Sequence, residues 1–249
     1  MHQFSRTALL IGQDGLRLLR QCRVAVFGLG GVGGHAAEAL ARSGVGGLDL
    51  IDSDRVTLTN LNRQLAALHS TLGQYKADVL AARLRDIHPD LRLEARRLFY
   101  LPETAGEIDL AAYDYILDCI DTVAAKLDLA QRAYALGVPL ISAMGAGNRL
   151  DPTQLRVGDL FDTRNCPLAR VMRRELRRRG VPALKVVYSA EPALQPRPDP
   201  DDPDAEQPRA ARRQVPGSTA FVPPVMGMIM AAEAVKDLLN AGKRRDGAP

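Results

Sequence analysis

Short apolar segments alternate with segments of helical periodicity over the first 150 residues of this 249-residue chain. The apolar segments are rich in Val, Ile and Leu, which is typical of buried strands, and the segments between them repeat apolar residues at helical spacing. The predicted strands are 23–27, 46–51, 91–97, 115–119 and 139–143, and the predicted helices are 7–20, 32–42, 74–87 and 126–136. This alternation predicts an α/β fold with a mainly parallel sheet and helices on both faces.

The first predicted helix, 7–20, has its leucines at positions that indicate one apolar side. These leucines are Leu9, Leu10, Leu16 and Leu19. One apolar side of this kind is typical of an amphipathic helix.

The second part of the chain has a different pattern. It predicts strands at 154–157 and 184–188, a basic helix at 166–179, and a last helix from Pro224 to about residue 240 with a frayed tail after Gly242. Residues 195–216 are rich in Pro and charge and nearly lack apolar side chains, so we expect a disordered loop there. Core-like sequence returns afterwards. We therefore predict one domain, 1–249, in which 151–194 and 217–241 extend the α/β part at 1–150.

The amino-acid composition argues against only a few classes of protein. The net charge is +4, and the few aromatic residues, Tyr 6, Phe 5 and Trp 0, make a base-stacking surface unexpected. The 3 cysteines form no C-x-x-C pair, which argues against a zinc ribbon or a disulfide scaffold and favours a reducing, cytoplasmic location. The longest apolar stretch, 221–232, is too short to span a membrane, since a span needs about 20 residues.

A glycine-rich turn lies between the first predicted strand and the helix after it. Gly28, Gly30, Gly31 and Gly33 form GLGGVG, a pattern that binds nucleotide phosphates when it joins a strand to a helix. The helix N-terminus then offers free N–H groups to phosphate. Asp52, at the end of the second strand, stands where a carboxylate binds ribose in such folds. The sequence therefore predicts a Rossmann-like nucleotide site.

The residues after Asp52 favour a triphosphate over a dinucleotide. Asp54, Asn60, Arg63 and Lys76 follow in the sequence, and Arg63 and Lys76 would bring two cations to one nucleotide. The pyrophosphate of a dinucleotide does not need them because the helix N-terminus binds it. A triphosphate cleaved between its α and β phosphates does need them, because negative charge accumulates on the leaving pyrophosphate.

Two aspartates end the fourth predicted strand, at the sheet edge where ligands of such folds bind. Asp118 and Asp121 both belong to the sequence DCID. One carboxylate at this edge is well placed to hold magnesium through phosphate oxygens and water. For Asp121 the alternative is that it only caps the helix that follows.

Residues 4–144 resemble the adenylating domain of the ubiquitin-activating-enzyme superfamily through the motifs GLGGVG, LIDSDRVTLTNLNRQ, GQYK and DCID. That superfamily includes bacterial molybdopterin-synthase and thiamine-carrier adenylyltransferases. The resemblance implies that the chain binds ATP with magnesium and adenylates a carboxylate.

The same resemblance implies roles for the residues that match its motifs. Gly30 is expected to contact phosphate and Asp52 the ribose, while Asp121 holds magnesium. The residues expected to act on the phosphates are Asn60, Arg63 and Lys76. The segment Phe4-Ser5-Arg6 resembles an N-terminal segment whose arginine reaches into the partner subunit, which implies a homodimer with Arg6 acting in trans.

A finer resemblance covers nearly the whole chain. The tRNA threonylcarbamoyladenosine dehydratase family is similar in FSRTALLIG, GAGNRLDPTQLRVGDL, CPLARVMRRELRRRG, KVVYSAE and the final FVPP helix. This resemblance implies a single adenylating domain that dehydrates threonylcarbamoyladenosine in tRNA. The threonyl carboxylate would be adenylated, and internal attack would close a ring with loss of AMP. Residues 195–216 match this family poorly.

Arginines are concentrated on the basic helix at 166–179. Their spacing, i, i+3, i+4, i+7 and i+8, aligns them on one helix face. They are Arg170, Arg173, Arg174, Arg177 and Arg178. Clustered cations repel one another, and binding of tRNA phosphate would relieve that repulsion. The alternatives are a solvated face or pairing with the acidic run at 199–206.

The three cysteines are not all expected to have the same role. Cys22 and Cys119 are expected in the core, whereas Cys166 begins the basic helix and is either an activated thiol or an inert helix residue.

A second hypothesis for the function of the chain is an adenylyltransferase that acts on the C-terminus of a ubiquitin-like or sulfur-carrier protein. A redox protein that binds NAD and a scaffold that only binds ATP are further alternatives. A sulfurtransferase or another helper protein is left open as a partner.

Overall fold

The computed structural model describes residues 2–197 and 216–245 of the chain. The helices are α1 (Ser5–Gln21), α2 (Gly33–Ser43), α3 (Lys76–Ile87), α4 (Val123–Leu136), α5 (Pro167–Arg178) and α6 (Val222–Arg245). The strands are β1 (Arg23–Phe27), β2 (Gly47–Ile51), β3 (Arg92–Arg96), β4 (Tyr115–Asp118), β5 (Leu140–Ala143), β6 (Leu155–Asp159) and β7 (Lys185–Ser189). Most of the predicted disordered loop at 195–216 lies outside the described residues.

The strands form one sheet in the order β3-β2-β1-β4-β5-β7-β6. Each neighbouring pair is parallel except β6 and β7, which are antiparallel. Phe27 at the end of β1 is in register with Ile51 of β2 and with Asp118 of β4, so these strands end together. The predicted α/β fold with a mainly parallel sheet is confirmed, and its carboxyl edge is the expected ligand edge.

The central strands are apolar on both sides because helices cover both faces of the sheet. Val24 and Val26 of β1 pack into a core with α2, α3 and α6. Ala25 and Phe27, which alternate with them, pack into a second core with α4 and α5. A strand buried on both faces has a continuous apolar sequence, and this is why the pattern predicted these strands well.

The prediction of one apolar side for helix α1 is wrong in its first half. Leu16 and Leu19 are buried, but Leu9 and Leu10 are 85% and 89% exposed. Gly12 interrupts the helix with a φ of 75° and a ψ of 169°. Because that backbone conformation is not helical, it rotates the first turns relative to the last ones. A single 3.6-residue period therefore cannot describe which side of α1 is buried.

Helix α6 is longer than predicted and packs closely on α2. It begins at Val222 and continues to Arg245, past the expected frayed point at Gly242. A Cβ added at Gly227 would lie 2.2 Å from the carbonyl oxygen of Val32, so only glycine permits this approach. Within the described ranges, no helix is long and apolar enough to cross a membrane. Helix α6 thus lies against the start of α2, beside the glycine-rich turn.

Candidate active site

A cavity of about 390 Å³ opens at the carboxyl edge of the sheet. Loops that follow β1, β2, β3, β4 and β5 line it, together with residues between 216 and 223. The predicted site residues that line it are Gly28, Gly30, Gly31, Asp52, Asp54, Asn60, Arg63, Lys76 and Asp121. Its volume suits a nucleotide-sized ligand, since pockets for small molecules measure about 300–1,000 Å³.

The glycine-rich turn forms the floor of the cavity between β1 and α2. Gly28 has a φ of +83°, and a Cβ there would lie 2.7 Å from the carbonyl oxygen of Cys119. A Cβ at Gly33 would lie 1.8 Å from the carbonyl oxygen of Gly28. Any side chain at either position would therefore force the turn open. The close turn leaves the N-terminus of α2 facing the cavity, where a phosphate is stabilised by free N–H groups.

Asp52 is held at the end of β2 by backbone N–H groups. The amide of Leu29 donates to its Oδ2 at 2.6 Å, and the amide of Asp54 donates to its Oδ1 at 2.7 Å. Burial raises the pKa of the Asp52 carboxyl above its ordinary value, while these amides and Lys76 oppose that rise. The carboxylate is thereby fixed in orientation and retains lone pairs that can accept from a ribose hydroxyl.

Lys76 and Asp54 form an ion pair across the cavity wall. The Nζ atom of Lys76 lies 2.7 Å from Oδ2 of Asp54, and the Lys76 backbone amide donates to the Asp54 carbonyl at 3.0 Å. The Lys76 side chain is only 6% exposed, whereas that of Asp54 is 63% exposed. Lys76 therefore presents a preformed positive charge at the cavity, which suits a phosphate ligand.

Asn60 is the last residue of a short 3-10 helix, Leu58–Asn60, and Arg63 lies in the loop that follows it. The amide of Thr57 donates to Oδ1 of Asn60 at 3.2 Å, which orients the buried side chain of Asn60. The guanidinium of Arg63 donates to the carbonyl of Thr59 at 3.0 Å. Its aliphatic part lies beside Gly31 of the glycine-rich turn. Arg63 is thus close to the turn but is bonded to its own loop.

The two aspartates after β4 have different surroundings. Asp118 is fully buried: its Oδ2 lies 2.9 Å from Nζ of Lys126 and accepts from Oγ of Ser142 at 2.6 Å. Asp121 is exposed and lines the cavity. Thr122, not Asp121, occupies the N-cap position of α4, so the alternative of Asp121 as a helix cap is wrong. Asp121 is therefore the carboxylate of this pair that faces the cavity.

A magnesium ion bound here would need oxygen ligands beyond the protein. Among residues 2–197 and 216–245, no three His, Cys, Asp or Glu side chains cluster as a metal site. Magnesium is commonly held by one or two carboxylates together with phosphate oxygens and waters. The single carboxylate of Asp121 fits that mode of binding and does not form a complete protein cage.

Sequence reasoning missed Gln64 as a site residue. Its side chain lines the cavity and is 8% exposed, and its Oε1 atom has no hydrogen-bond partner within the part of the chain that the structure describes. A Cβ added at Gly30 would lie 3.8 Å from Nε2 of Gln64, so this amide stands over the glycine-rich turn. This amide oxygen is therefore available to accept a hydrogen bond from a ligand in the cavity. Gln64 was visible in the motif NLNRQ, directly after Arg63.

A model of the ThiF family matches residues 4–247. The chain belongs to the ThiF family. It is 43% identical, over 96% of both chains, to a Bacillus subtilis protein named tRNA threonylcarbamoyladenosine dehydratase. The Escherichia coli structure of tRNA N6-threonylcarbamoyladenosine dehydratase in complex with ATP has a TM-score of 0.85 at 33% identity. It covers 97% of this chain and 96% of its own.

A second Escherichia coli structure of that ThiF-family dehydratase, in complex with AMP, has a TM-score of 0.87 at 34% identity. It covers the same shares, 97% of this chain and 96% of its own. The structural match to these two proteins covers both the sheet and the part of the chain after β5. The whole described fold, with its seven-stranded sheet, is therefore that of the ThiF family.

The basic helix of this ThiF-family chain, α5, does not line the cavity. Arg173 donates to the carbonyl of Thr163 at 2.9 Å, and the guanidinium of Arg177 lies 5.1 Å from the ring centre of Phe161. Glu175 is paired with three exposed arginines, which are Arg174, Arg178 and Arg179. The predicted single basic face is therefore partly engaged by the protein itself, while Arg170, Arg174 and Arg178 remain exposed.

Arg6 and the cysteines complete the set of predicted residues. Arg6 is exposed on α1 and does not line the cavity of its own chain. Cys166 is buried as the N-cap of α5, where its Sγ accepts from the amide of Ala169 at 3.5 Å. Cys119 lines the cavity, and burial raises the pKa of its thiol well above the ordinary value. The Cys119 thiol therefore lacks the surroundings of an activated nucleophile, whereas Cys166 is buried at a helix N-terminus.

Proposed function

We propose that this chain is an ATP-dependent tRNA threonylcarbamoyladenosine dehydratase. The observation that carries the proposal is the likeness, over 96% of both chains, to the Bacillus subtilis protein of that name. The cavity supports it independently, because it combines a glycine-rich phosphate turn with two cations and three carboxylates. The proposed reaction is the closure of the threonylcarbamoyl group into a ring, with the release of AMP and pyrophosphate.

The first step is adenylation of the threonyl carboxylate. One carboxylate oxygen attacks the α-phosphorus of ATP, and the bond from that phosphorus to the bridging oxygen breaks as pyrophosphate leaves. The α2 N-terminus and the turn at Gly30 bind the phosphates, and Asp52 orients the ribose. Lys76 and Arg63 neutralise the charge that develops on pyrophosphate, for which Arg63 must exchange its bond to Thr59 for the ligand.

The second step is ring closure. An internal nucleophile of the carbamoyl group attacks the activated acyl carbon and releases its proton to solvent. The bond from the acyl carbon to the phosphate oxygen breaks, and AMP leaves. Because the nucleophile belongs to the substrate, the protein needs no catalytic thiol. The buried Cys166 and the high pKa of the Cys119 thiol are consistent with this step.

Magnesium is part of the proposal, with Asp121 as its protein ligand. The ion would shield the phosphate charges and orient the leaving group. Asp121 is suited because it lines the cavity and, among the described residues, its carboxylate has one weak hydrogen bond, from Thr122 at 3.5 Å.

The proposed partners are tRNA and a second copy of the chain. The exposed arginines of α5, Arg170, Arg174 and Arg178, would contact tRNA phosphates, and Arg6 would act in the site of the partner subunit. Because the proposed substrate is tRNA, a cytoplasmic location belongs to the same proposal. A sulfurtransferase or another helper protein remains an untested partner.

The decisive experiment is incubation of the purified chain with ATP, magnesium and tRNA that carries threonylcarbamoyladenosine. Nucleoside mass spectrometry should then show the loss of one water from the modified nucleoside, with AMP formed in equal amount. An ATP analogue with a methylene group between the α and β phosphates should abolish both. If the mass is unchanged in protein that binds ATP, the proposal is wrong. Pyrophosphate exchange that requires a carrier protein ending in Gly-Gly would instead support the carrier adenylyltransferase.

A further inference from the structure

Asn148 connects two segments that are far apart in the sequence, and the one around Gly217 contributes Pro216 and Ser218 to the lining of the cavity. Its backbone amide donates to the carbonyl of Gly217 at 2.8 Å, and its side-chain Oδ1 accepts from the amide of Gly217 at 2.7 Å. Its own carbonyl accepts from the amide of Leu194 at 2.9 Å. One asparagine therefore fixes the chain at residue 194 and again at residue 217.

The backbone of Asn148 has an uncommon conformation that makes this double contact possible. Its φ is 59°, and only Asn165 shares a positive φ among the described residues other than glycine. Asparagine tolerates this left-handed region better than other side chains do. A positive φ held by several hydrogen bonds indicates a geometry that the surrounding structure enforces.

The segment fixed by Asn148 forms one wall of the cavity, which we call the 216–218 wall. Pro216 and Ser218 line the cavity, and a Cβ at Gly147 would lie 2.8 Å from Cβ of Pro216. On the opposite side, the side-chain amide of Asn62 donates to the carbonyl of Ser218 at 3.0 Å. The wall is thus held between the loop after β5 and the loop that carries Arg63.

The order of the strands indicates which substrate the 216–218 wall faces. The cavity extends along the sheet edge from the loop after β3 to the loop after β5, with the glycine-rich turn between them. Asp52, the proposed ribose ligand, lies after β2, so the nucleoside of ATP occupies the side of β2 and β3. The phosphates then lie at the turn after β1. The part of the cavity next to β5, where Gly147 and the 216–218 wall lie, is then left for the substrate whose carboxylate is adenylated.

We propose that Asn148 is a positioning residue for the acceptor end of the cavity, where the 216–218 wall receives the threonyl group of the modified nucleoside. This inference rests on the proposed dehydratase function. Asn148 acts through the wall, since Gly147 lines the cavity and Asn148 does not. It holds the acceptor carboxylate against the α-phosphorus without contacting ATP.

Three substitutions at Asn148 separate the contributions of its side chain and its backbone. Asn148→Gly keeps the positive φ and removes the acceptor for the Gly217 amide. Asn148→Asp keeps both an Oδ acceptor and a side chain that tolerates positive φ. Asn148→Ala removes the acceptor and also disfavours the backbone conformation. Asn165→Gly is the matched control, because Asn165 has the same φ of 59° but does not line the cavity.

The experiment measures ring closure against varied concentrations of modified tRNA and, separately, of ATP. Asn148→Gly should raise KM for tRNA about tenfold with KM for ATP changed less than about twofold, since one hydrogen bond of the wall is lost. Asn148→Ala should raise KM for tRNA by at least this factor. Asn148→Asp should have a KM for tRNA within about threefold of the wild-type value, and Asn165→Gly should leave both KM values near those of the wild type.

Two results would overturn the inference while the proposed function stands. One is an unchanged KM for tRNA in Asn148→Gly. The other is an equal rise of KM for tRNA and for ATP, which would indicate general loosening of the cavity. If wild-type protein binds ATP but dehydrates no modified tRNA, the proposed function itself fails, and the inference fails with it.

Discussion

Lys76 is a buried cation whose partner is mostly in solvent. Its side chain is 6% exposed and that of Asp54 is 63% exposed, with 2.7 Å between Nζ and Oδ2. A pair open to solvent on one side contributes at most about 1 kcal/mol to stability. The value of Lys76 therefore lies in the positive charge that it brings to the phosphate end of the cavity.

Replacing Lys76 should abolish activity while the fold remains. Lys76→Met keeps the aliphatic volume, and Asp54 stays solvated, so the melting temperature should change little. Loss of the charge that stabilises leaving pyrophosphate should lower kcat by at least about 100-fold. Lys236→Met is the matched control, because Lys236 pairs with Glu233 on the exposed side of α6. A large fall in melting temperature in Lys76→Met alone would contradict this role.

Gln64 should determine the affinity for ATP through its amide. Gln64→Glu replaces a donor beside the glycine-rich turn with a negative charge, which repels the phosphates. We expect the Kd for ATP, measured by calorimetry, to rise at least about tenfold. Gln74→Glu is the matched control, since it makes the same change of charge on an exposed side chain. Equal Kd values for the two variants would contradict a contact between Gln64 and ATP.

At the scale of elements, a buried ion pair joins β4 to α4 behind the cavity. Asp118 at the end of β4 and Lys126 in α4 are both 0% exposed. Lys126 also donates to the carbonyl of Ile120 at 3.0 Å, and Oδ1 of Asp118 accepts from the Ile120 amide at 3.2 Å. The N–H and the carbonyl of Ile120 are therefore both held, which restricts the position of Asp121, the next residue.

Breaking this ion pair should destabilise the protein strongly. Lys126→Met leaves the buried carboxylate of Asp118 without its cation, which should lower the free energy of unfolding by about 3–5 kcal/mol. The double variant Asp118→Asn with Lys126→Met removes both charges and should recover part of that loss. Denaturant unfolding measures both effects. Equal stabilities of the single and double variants would show that the charge on Asp118 is not the cause.

The elements whose positions depend on local sequence were predicted well. Strands β1 and β4 have continuous apolar runs, and the glycine-rich turn between β1 and α2 needs only neighbouring residues to be recognised. Asp121 lines the cavity because parallel strands end at one edge, and Lys76, the first residue of α3, lines it as well. The face of α1 was wrong because the non-helical Gly12 interrupts its period.

The parts of the site that depend on distant contacts could not be predicted. The contact of Gly227 with Val32 joins the last helix to the first nucleotide-binding helix, and no local pattern indicates it. The 216–218 wall depends on bonds from Asn148 and Asn62, which stand in separate loops. Pro216 was predicted to belong to a disordered loop, yet it lines the cavity. Such contacts follow from how the loops pack in the folded chain.

At the scale of the whole molecule, the distribution of charge matters more than its sum of +4. On α5, Glu175 pairs with Arg174, Arg178 and Arg179, and Arg173 is bonded to Thr163. Reversing Arg173 would therefore disturb packing as well as charge. Exposed arginines are the better test of a tRNA surface, because ion pairs open to solvent, such as those of Arg174 and Arg178 with Glu175, contribute little to stability.

Reversing three exposed arginines of α5 should weaken tRNA binding without affecting ATP. In Arg170→Glu, Arg174→Glu and Arg178→Glu combined, tRNA affinity should fall at least tenfold. The slope of log affinity against log salt should become shallower by about 1–3, since fewer counterions are released. Lys236→Glu is the control on an exposed side chain of α6. An unchanged salt slope would contradict this surface.

The proposed homodimer predicts that two inactive variants complement each other. Arg6→Ala lacks the arginine given to the partner, and Lys76→Ala lacks the cation of its own cavity. In a mixed dimer, the cavity of the Arg6→Ala subunit keeps its Lys76 and receives Arg6 from the other subunit. Random mixing makes about half of all dimers mixed, each with one intact cavity, so about one quarter of wild-type activity should return. Arg6→Ala alone, refolded in the same way, is the control. If the refolded mixture is no more active than this control, action of Arg6 in trans is contradicted.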